Sequence, residues 1–432
     1  MHLDELNGRR VVLLGMGADV RAALPAVLAA GPDSVRAVDT ALAVGATVEG
    51  LTVIELETAA AEAEVFLRSP GFPRYLPALV AARERGASMT TPLDLWLGTH
   101  GEGRTVVAIT GTKGKSTTTD LVGHLAQAAG LRVGVAGNLG IPVFADGWDH
   151  EAPIVVLEVS SYQAADLHHV PDIAVLTSLT EDHLDWHGGV ERYHADKLRV
   201  LGDGVRSAPV VVVSADSPEA CRAAAPFDPV VVRPPLGAGE LPAQRVQNAA
   251  LAAEVVHRLG GPAPSDDVVL AAAARSMPGR LDRCEGPSGG PLAGVTFVDD
   301  ALASNPSATA AGLVWARTLG LPAVVVLGGA ARGVSAGPLA DEAARWADDQ
   351  LHAVAVPDTG EELAAAAGIE LAGSASSVEA AVDLAVATLT RSAGDRDALR
   401  GIVLFSPAAP TPAGSGNWQD RSAAFRRAIL AL

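Results

Sequence analysis

The segment Thr110-Gly111-Thr112-Lys113-Gly114-Lys115-Ser116-Thr117 sets two glycines and two lysines directly before a pair of hydroxyls. An apolar run, Thr105–Ile109, precedes it. Behind it, from Ser116 to about Ala129, the apolar positions Leu121, Val122, Leu125 and Ala129 share one helical face. Strand, glycine-rich loop and helix in that order make a phosphate cradle. The glycines let backbone N–H groups wrap phosphate oxygens, and the helix N-terminus adds its positive end. Lys115 can then reach the β- and γ-phosphates, and Ser116 can offer its hydroxyl to Mg²⁺. The general phosphate-loop pattern has glycine at position 109, where this chain has isoleucine, so the loop is a variant form.

Two later segments carry groups that could complete such a site. In Leu157-Glu158-Val159-Ser160-Ser161-Tyr162-Gln163, Glu158 ends an apolar run. The carboxyl ends of strands are where ligands of an α/β sheet collect, and a carboxylate there can hold a hard cation beside phosphates. In isolation it is equally a capping or ion-paired residue. The turn Thr180-Glu181-Asp182-His183-Leu184-Asp185-Trp186-His187 is acidic and histidine-rich, which suits metal and substrate contacts or simply a solvated loop. Oxygen donors dominate and no cysteine is near, so a hard cation suits it better than zinc. Tyr193 and Lys197 follow, four apart on an expected helix.

The elements that must position these groups are legible as a rhythm. Short β-branched runs alternate with alanine- and leucine-rich stretches, the pattern of parallel sheets covered by helices. The expectation is an α/β protein of three domains. Residues 1–98 open with strand Arg10–Leu14, the turn Gly15-Met16-Gly17 and a helix, a Rossmann-like start. A dinucleotide site is disfavoured there because the third glycine of its fingerprint is missing. Gly98–Gly103 reads as a linker. Residues 99–278 form a central phosphate-loop domain, and residues 279–432 a second Rossmann-like domain with strands near Val295–Val298, Ala323–Leu327, Ala353–Val356 and Ile402–Phe405. The 432 residues are 49% hydrophobic and carry 32 Lys and Arg against 50 Asp and Glu, a net charge of −18. So acidic a surface argues against nucleic acid or an anionic membrane as partner. Two distant cysteines, Cys221 and Cys284, and a polar N-terminus point to a reducing, cytoplasmic setting. No apolar run approaches a membrane span.

The three motifs, in this order and spacing, resemble the central ATPase domain of the Mur ligases. In that family a phosphate loop is followed by Glu-x-Ser-Ser and by Thr-Glu-Asp-His-Leu-Asp with a later Tyr-x-x-x-Lys. The N-terminal part is similar to the type that adds glutamate to UDP-N-acetylmuramoyl-L-alanine, through Gly15-Met16-Gly17, Val38-Asp39-Thr40, Ser69-Pro70-Gly71-Phe72-Pro73 and Gly137-Asn138-Leu139-Gly140. The resemblance implies ATP held by Gly111, Thr112, Lys113, Gly114, Lys115, Ser116 and Thr117, with Asn248, Arg283 and Asp300 at adenine and ribose. It implies two Mg²⁺, one on Ser116 and Glu158, the other on His183 and a carbamylated Lys197; Lys115, Glu158, His183 and Lys197 form the catalytic set. Gly15, Gly17, Asp39, Thr40, Ser69, Pro70, Gly71, Asn138, Ser160 and Gln163 would hold the UDP-sugar. A monomer acting on small molecules is expected. The substrate carboxylate would be phosphorylated to an acyl phosphate, which the amine of an amino acid then attacks.

The C-terminal segment departs from the family. Its Asp-Ser-Lys-Ala-Thr-Asn reads Asp300-Ala301-Leu302-Ala303-Ser304-Asn305, and its Gly-Gly-x-Asp-Lys-Gly reads Gly328-Gly329-Ala330-Ala331-Arg332-Gly333. Ser304, Arg332, Thr411 and Trp418 fall at acceptor positions, Asp282 replaces a histidine before Arg283, and Ala41 replaces the arginine after Asp39-Thr40. Leu302 cannot bind a carboxylate, whereas Arg332 can do so bidentately. The expectation is that glutamate is still added, as the L rather than the D enantiomer, with a separate epimerase acting on the product. The alternatives are a conventional D-glutamate ligase, a Mur-like ligase of a secondary pathway and a non-catalytic nucleotide-binding paralogue.

Overall fold

The two central strands of the first sheet lend alternate residues to opposite cores, as a sheet covered on both faces requires. Val11 and Leu13 pack in one cluster with Val20, Leu24 and Leu67. Val12 and Leu14 pack in another with Phe66, Leu79 and Met89. This computed structural model describes all residues except 139, 203–209, 237–238, 332, 394–398 and 413. Arg332 and Leu139 therefore lie outside the described residues.

The chain forms two compact units, the first of Met1–Ala238 with Gln244–Ala273, the second of Gly239–Ala243 with Ala274–Leu432. The first unit carries two main sheets. One has four parallel strands in the order Ser34–Val38, Arg10–Leu14, Val65–Arg68, Ser88–Thr90. The other has six parallel strands in the order Val230–Val232, Val210–Ser214, Ile173–Leu176, Thr105–Thr110, Ile154–Glu158, Val133–Gly137. The strand that feeds the glycine-rich loop is thus central, with the strands feeding Glu158 and the acidic turn on either side.

The second unit holds one six-stranded sheet, ordered Asp282–Cys284, Gly294–Asp299, Arg400–Phe405, Ala323–Leu327, Leu351–Ala355, Glu370–Ser374. Its first edge strand is antiparallel and the others run parallel. Val324 and Val326 face one core, Val325 and Leu327 the other. The fold is α/β, as the alternating pattern predicts.

The expected linker at Gly98–Gly103 is partly helical. The helix Pro92–His100, capped by the Thr91 hydroxyl, runs through Gly98 and Thr99. A Cβ at Gly98 would strike the Met1 carbonyl, so this glycine allows close packing rather than breaking the helix. Among the described residues, no helix is long and apolar enough to cross a membrane.

Candidate active site

The glycine-rich loop folds because its glycines meet neighbours or torsions that a side chain would not tolerate. Gly111 has φ +147°, and a Cβ there would run into Thr177 Oγ1. Gly114 has φ +88° and would push a Cβ to 2.6 Å from Asn248 Oδ1. The helix Lys115–Ala128 starts directly after it. Ser116 sits in the first turn, and Thr117 is buried behind it. Lys115 Nζ donates to the carbonyls of Gly111 and Thr112 at 2.9 and 3.2 Å. The cation therefore folds over the loop whose amides it would share with a phosphate.

The acidic turn is stitched to this loop. Thr112 Oγ1 donates to the Thr180 carbonyl and accepts from the Thr180 amide, both at 3.0 Å, and Lys113 pairs with Asp182 at 3.8 Å. Tyr193 and Lys197 share the helix Val190–Leu198 and are both buried, although a lone lysine on a helix is ordinarily a surface charge. The Tyr193 hydroxyl is hydrogen-bonded to Thr112 Oγ1 at 2.9 Å, and Lys197 Nζ donates to the Gly111 carbonyl at 3.0 Å. Burial, and then the neighbouring Lys115 ammonium, hold the Lys197 amine well below the usual lysine range. His183 stands half exposed in the left-handed region at φ 51°, its ring 4.8 Å from that of Tyr162. Burial lowers its pKa against the opposing pull of Asp182.

Glu158 is in register with Ile109, two residues before Gly111. Its Oε1 accepts from Asn138 Nδ2 at 2.7 Å, while Oε2 is buried with no hydrogen-bond partner. Among the described residues, no cluster of three or more His, Cys, Asp or Glu could hold a metal alone. A Mg²⁺ ion keeps water and takes phosphate oxygens beside one or two protein groups, so an orphaned carboxylate oxygen next to a phosphate loop fits it. Ser160 and Gln163 form a reciprocal capping box on the short helix Ser161–Ala164, and Gln163 Nε2 reaches Asp19 at 3.4 Å.

The N-terminal loops converge on one another. Asp39 accepts from the Met16 amide and from the Ala41 amide, both at 2.9 Å, and so ties the turn after the first strand to that after the second. Thr40 beside it is exposed. Gly15 and Gly17 lie against Ser69; a Cβ on Gly17 would come to 2.5 Å from its hydroxyl. Pro70 and Gly71 continue that loop.

Sequence reasoning missed what holds it. Arg68, with no exposed surface, pairs through Nε with Asp166 at 2.7 Å, and Arg74 pairs with the other oxygen of Asp166 at 2.6 Å. Burial alone would raise the Asp166 carboxyl; the two guanidiniums outweigh it and hold it below its usual range. Sequence reasoning also missed that buried His187 bridges Asp196 at 2.8 Å and Ser161 at 3.1 Å. The only sequence signal for Arg68 is a charge at the end of an apolar strand.

In the second unit, Arg283 pairs with Glu240 at 2.9 Å and lies over the Trp315 ring. Asp300 is buried, its oxygens accepting from Ser406 Oγ at 2.8 Å and the Leu281 amide at 3.2 Å; burial pushes its carboxyl up to about 7. Ser304 lines a cavity of about 150 Å³ with Ala330, Ala331, Gly333, Thr359 and Pro410. Thr411 follows that lining in sequence. Trp418 stands elsewhere, with Leu302, around Gly279: a Cβ on Gly279 would lie 2.8 Å from Trp418 and 3.4 Å from Leu302.

Comparison with known proteins places this geometry in a family. The Mur ligase middle domain matches residues 109–234. A UDP-N-acetylmuramoyl-L-alanine--L-glutamate ligase from a Micromonospora strain is 35% identical, over 99% of this chain and 98% of its own length. A UDP-N-acetylmuramoylalanine--D-glutamate ligase from Gloeobacter violaceus is 34% identical over 84% of each chain. Among solved structures, a MurF ligase from Thermotoga maritima in complex with ADP shares the fold with a TM-score of 0.57 at 16% identity, over 99% of this chain and 97% of that one.

Proposed function

The chain belongs to the Mur ligase family of ATP-dependent amide-bond ligases, and from that premise we propose that it adds L-glutamate to UDP-N-acetylmuramoyl-L-alanine in peptidoglycan precursor synthesis. The observation that carries the reading is the single cluster of Lys115, Lys197 and Tyr193 around the Gly111–Thr112 backbone, with the orphaned oxygen of Glu158 on the adjacent strand.

On this reading the glycine-rich loop and Lys115 hold the β- and γ-phosphates of ATP. Asn248, Arg283 and Asp300 serve adenine and ribose. Ser116 and Glu158 hold one Mg²⁺; His183 and a carbamylated Lys197 hold a second. Carbamylation, the addition of the neutral amine to CO₂ with loss of a proton, would turn a buried amine into an anionic oxygen ligand of the kind Mg²⁺ prefers. The bound ions supply charge neutralisation at the transferring phosphoryl group. The residues Gly15, Gly17, Asp39, Ser69, Asn138 and Gln163 orient the UDP-sugar, so that its terminal carboxylate meets the γ-phosphate. Phosphorylation replaces a hydroxide leaving group by phosphate, and the neutral amine of glutamate then displaces it. Residues 1–98, 99–278 and 279–432 are the functional division: nucleotide-sugar, ATP and acceptor.

Preference for L-glutamate is supported by the 35% identity to a ligase of that name over 99% of this chain, together with the departures of the acceptor segment, where Leu302 and Trp418 gather around Gly279 and Ser304 lines a separate cavity. A cytoplasmic monomer, with an epimerase acting on its product, completes the reading. D-glutamate addition is the second reading, supported by the 34% identity to a ligase of that name. Incubation with ATP, Mg²⁺, UDP-N-acetylmuramoyl-L-alanine and L-glutamate tests it by mass spectrometry. The nucleotide-sugar must gain one glutamyl residue; unchanged nucleotide-sugar in the presence of ADP release refutes the assignment of the acceptor.

A further inference from the structure

A charged side chain with no exposed surface costs several kcal/mol unless its geometry satisfies every donor, and an apolar residue would fill the same volume more cheaply. Arg68 is such a residue. Beyond its pair with Asp166, its Nη1 donates to the carbonyls of Ser69, Pro70 and Phe72 at 3.1, 2.6 and 3.1 Å. Its Nη2 donates to the carbonyl of Tyr162 at 2.6 Å. One guanidinium therefore grips both the loop after the third strand of the first sheet and the Glu158–Gln163 segment of the second.

The two gripped segments face different jobs. Ser69 packs against Gly15 and Gly17, and a Cβ on Gly17 would come within 2.5 Å of its hydroxyl, so the depth of the loop leaves no slack. Tyr162 lies inside the capping box of Ser160 and Gln163, four residues beyond Glu158. The acidic turn joins the same hub: the Trp186 ring covers Arg68 at 5.2 Å, and its Nε1 donates to the Gly71 carbonyl at 3.2 Å. Only a planar fork with five N–H groups reaches acceptors in these directions; a lysine ammonium cannot.

We infer that Arg68 is a positioning residue for the nucleotide-sugar: it fixes the distance between the loop 69–72 and the segment 158–163, and so sets where the substrate carboxylate falls relative to the phosphate loop. The inference rests on the proposed ligase function, in which both segments touch that substrate. Arg74 is the control, because its described hydrogen bond goes to Asp166 and not to the loop.

The test compares Arg68→Lys with Arg74→Lys, each carrying a conserved charge beside Asp166. For Arg68→Lys, KM for UDP-N-acetylmuramoyl-L-alanine should rise about tenfold or more, the equivalent of one or two charged hydrogen bonds. KM for ATP should stay within about twofold, and Arg74→Lys should show no such split. Parallel rises in both KM values, or the same split in Arg74→Lys, overturn the inference. Should Arg68→Lys not fold, Trp186→Phe, which loses the hydrogen bond to Gly71 and leaves a smaller aromatic ring beside Arg68, decides: a selective rise supports the inference and an unchanged KM overturns it. A wild-type chain that does not turn this substrate over refutes the functional reading instead. Amide exchange across residues 69–72 then reads the grip directly, and it must quicken in whichever of Arg68→Lys and Trp186→Phe folds, or the inference fails.

Discussion

Lys197 Nζ lies 3.0 Å from the carbonyl of Gly111, the residue at which the phosphate loop leaves its strand. A buried lysine amine is expensive to keep charged, and here it also faces the Lys115 ammonium. The arrangement suits an amine that serves the site in another form. Lys197→Ala should lower kcat by about 100-fold or more, the loss seen when a preorganised charged group is removed. A short carboxylate such as acetate, added to the variant, should restore part of it by occupying the vacated space as an oxygen ligand. Steady-state phosphate release with and without acetate checks this; a variant near wild-type activity contradicts the role.

Glu158 keeps one carboxylate oxygen buried without a partner, a cost of about 1–3 kcal/mol that stability alone would not retain. Glu158→Gln should therefore leave the unfolding midpoint unchanged or raised, while the Mg²⁺ concentration for half-maximal turnover rises several-fold. Thermal denaturation and a Mg²⁺ titration of activity read the two effects separately.

Gly111→Ala places a Cβ against Thr177 Oγ1 and the Ser178 backbone at a φ of +147°. A destabilisation of about 1–3 kcal/mol is expected from the torsion alone. Affinity for an ATP analogue, measured by titration calorimetry on the folded variant, should fall with it.

Asp300 gives a dependence of stability on pH. Its carboxyl is raised by burial from 3.8 to about 7, so the folded state holds its proton where the unfolded state has lost it. The stability it contributes is full below pH about 4, declines as pH rises, and is gone above about 7. The size is on the order of a few kcal/mol. Asp300→Asn should flatten the fall in stability between those limits, as measured by urea denaturation across the range.

What the sequence made legible is the part that lies in consecutive residues. Strand, loop and helix from Thr105 onward follow from hydrophobic period and glycine placement, and so does the carboxyl-end position of Glu158. The edge strands Ser88–Thr90 and Val230–Val232 escaped, being three residues each, too short for a period. Gly98 read as a break because a glycine inside a helix and one ending it look alike until the packed neighbour is known. The Arg68–Asp166–Arg74 hub was illegible for a different reason: its partners stand 92 to 98 residues apart in the chain and meet only when the two sheets of the first unit are assembled.

The central claim is acceptor-dependent ligation with L-glutamate, and phosphate release tests it most directly. The protein is given ATP, Mg²⁺ and UDP-N-acetylmuramoyl-L-alanine, then L-glutamate, D-glutamate or no amino acid, with Lys115→Ala as the blank. The account predicts release with L-glutamate at least about tenfold above release with D-glutamate, a difference of about 1.4 kcal/mol in the transition state, and none in the blank. Full turnover with D-glutamate and none with the L enantiomer would contradict it.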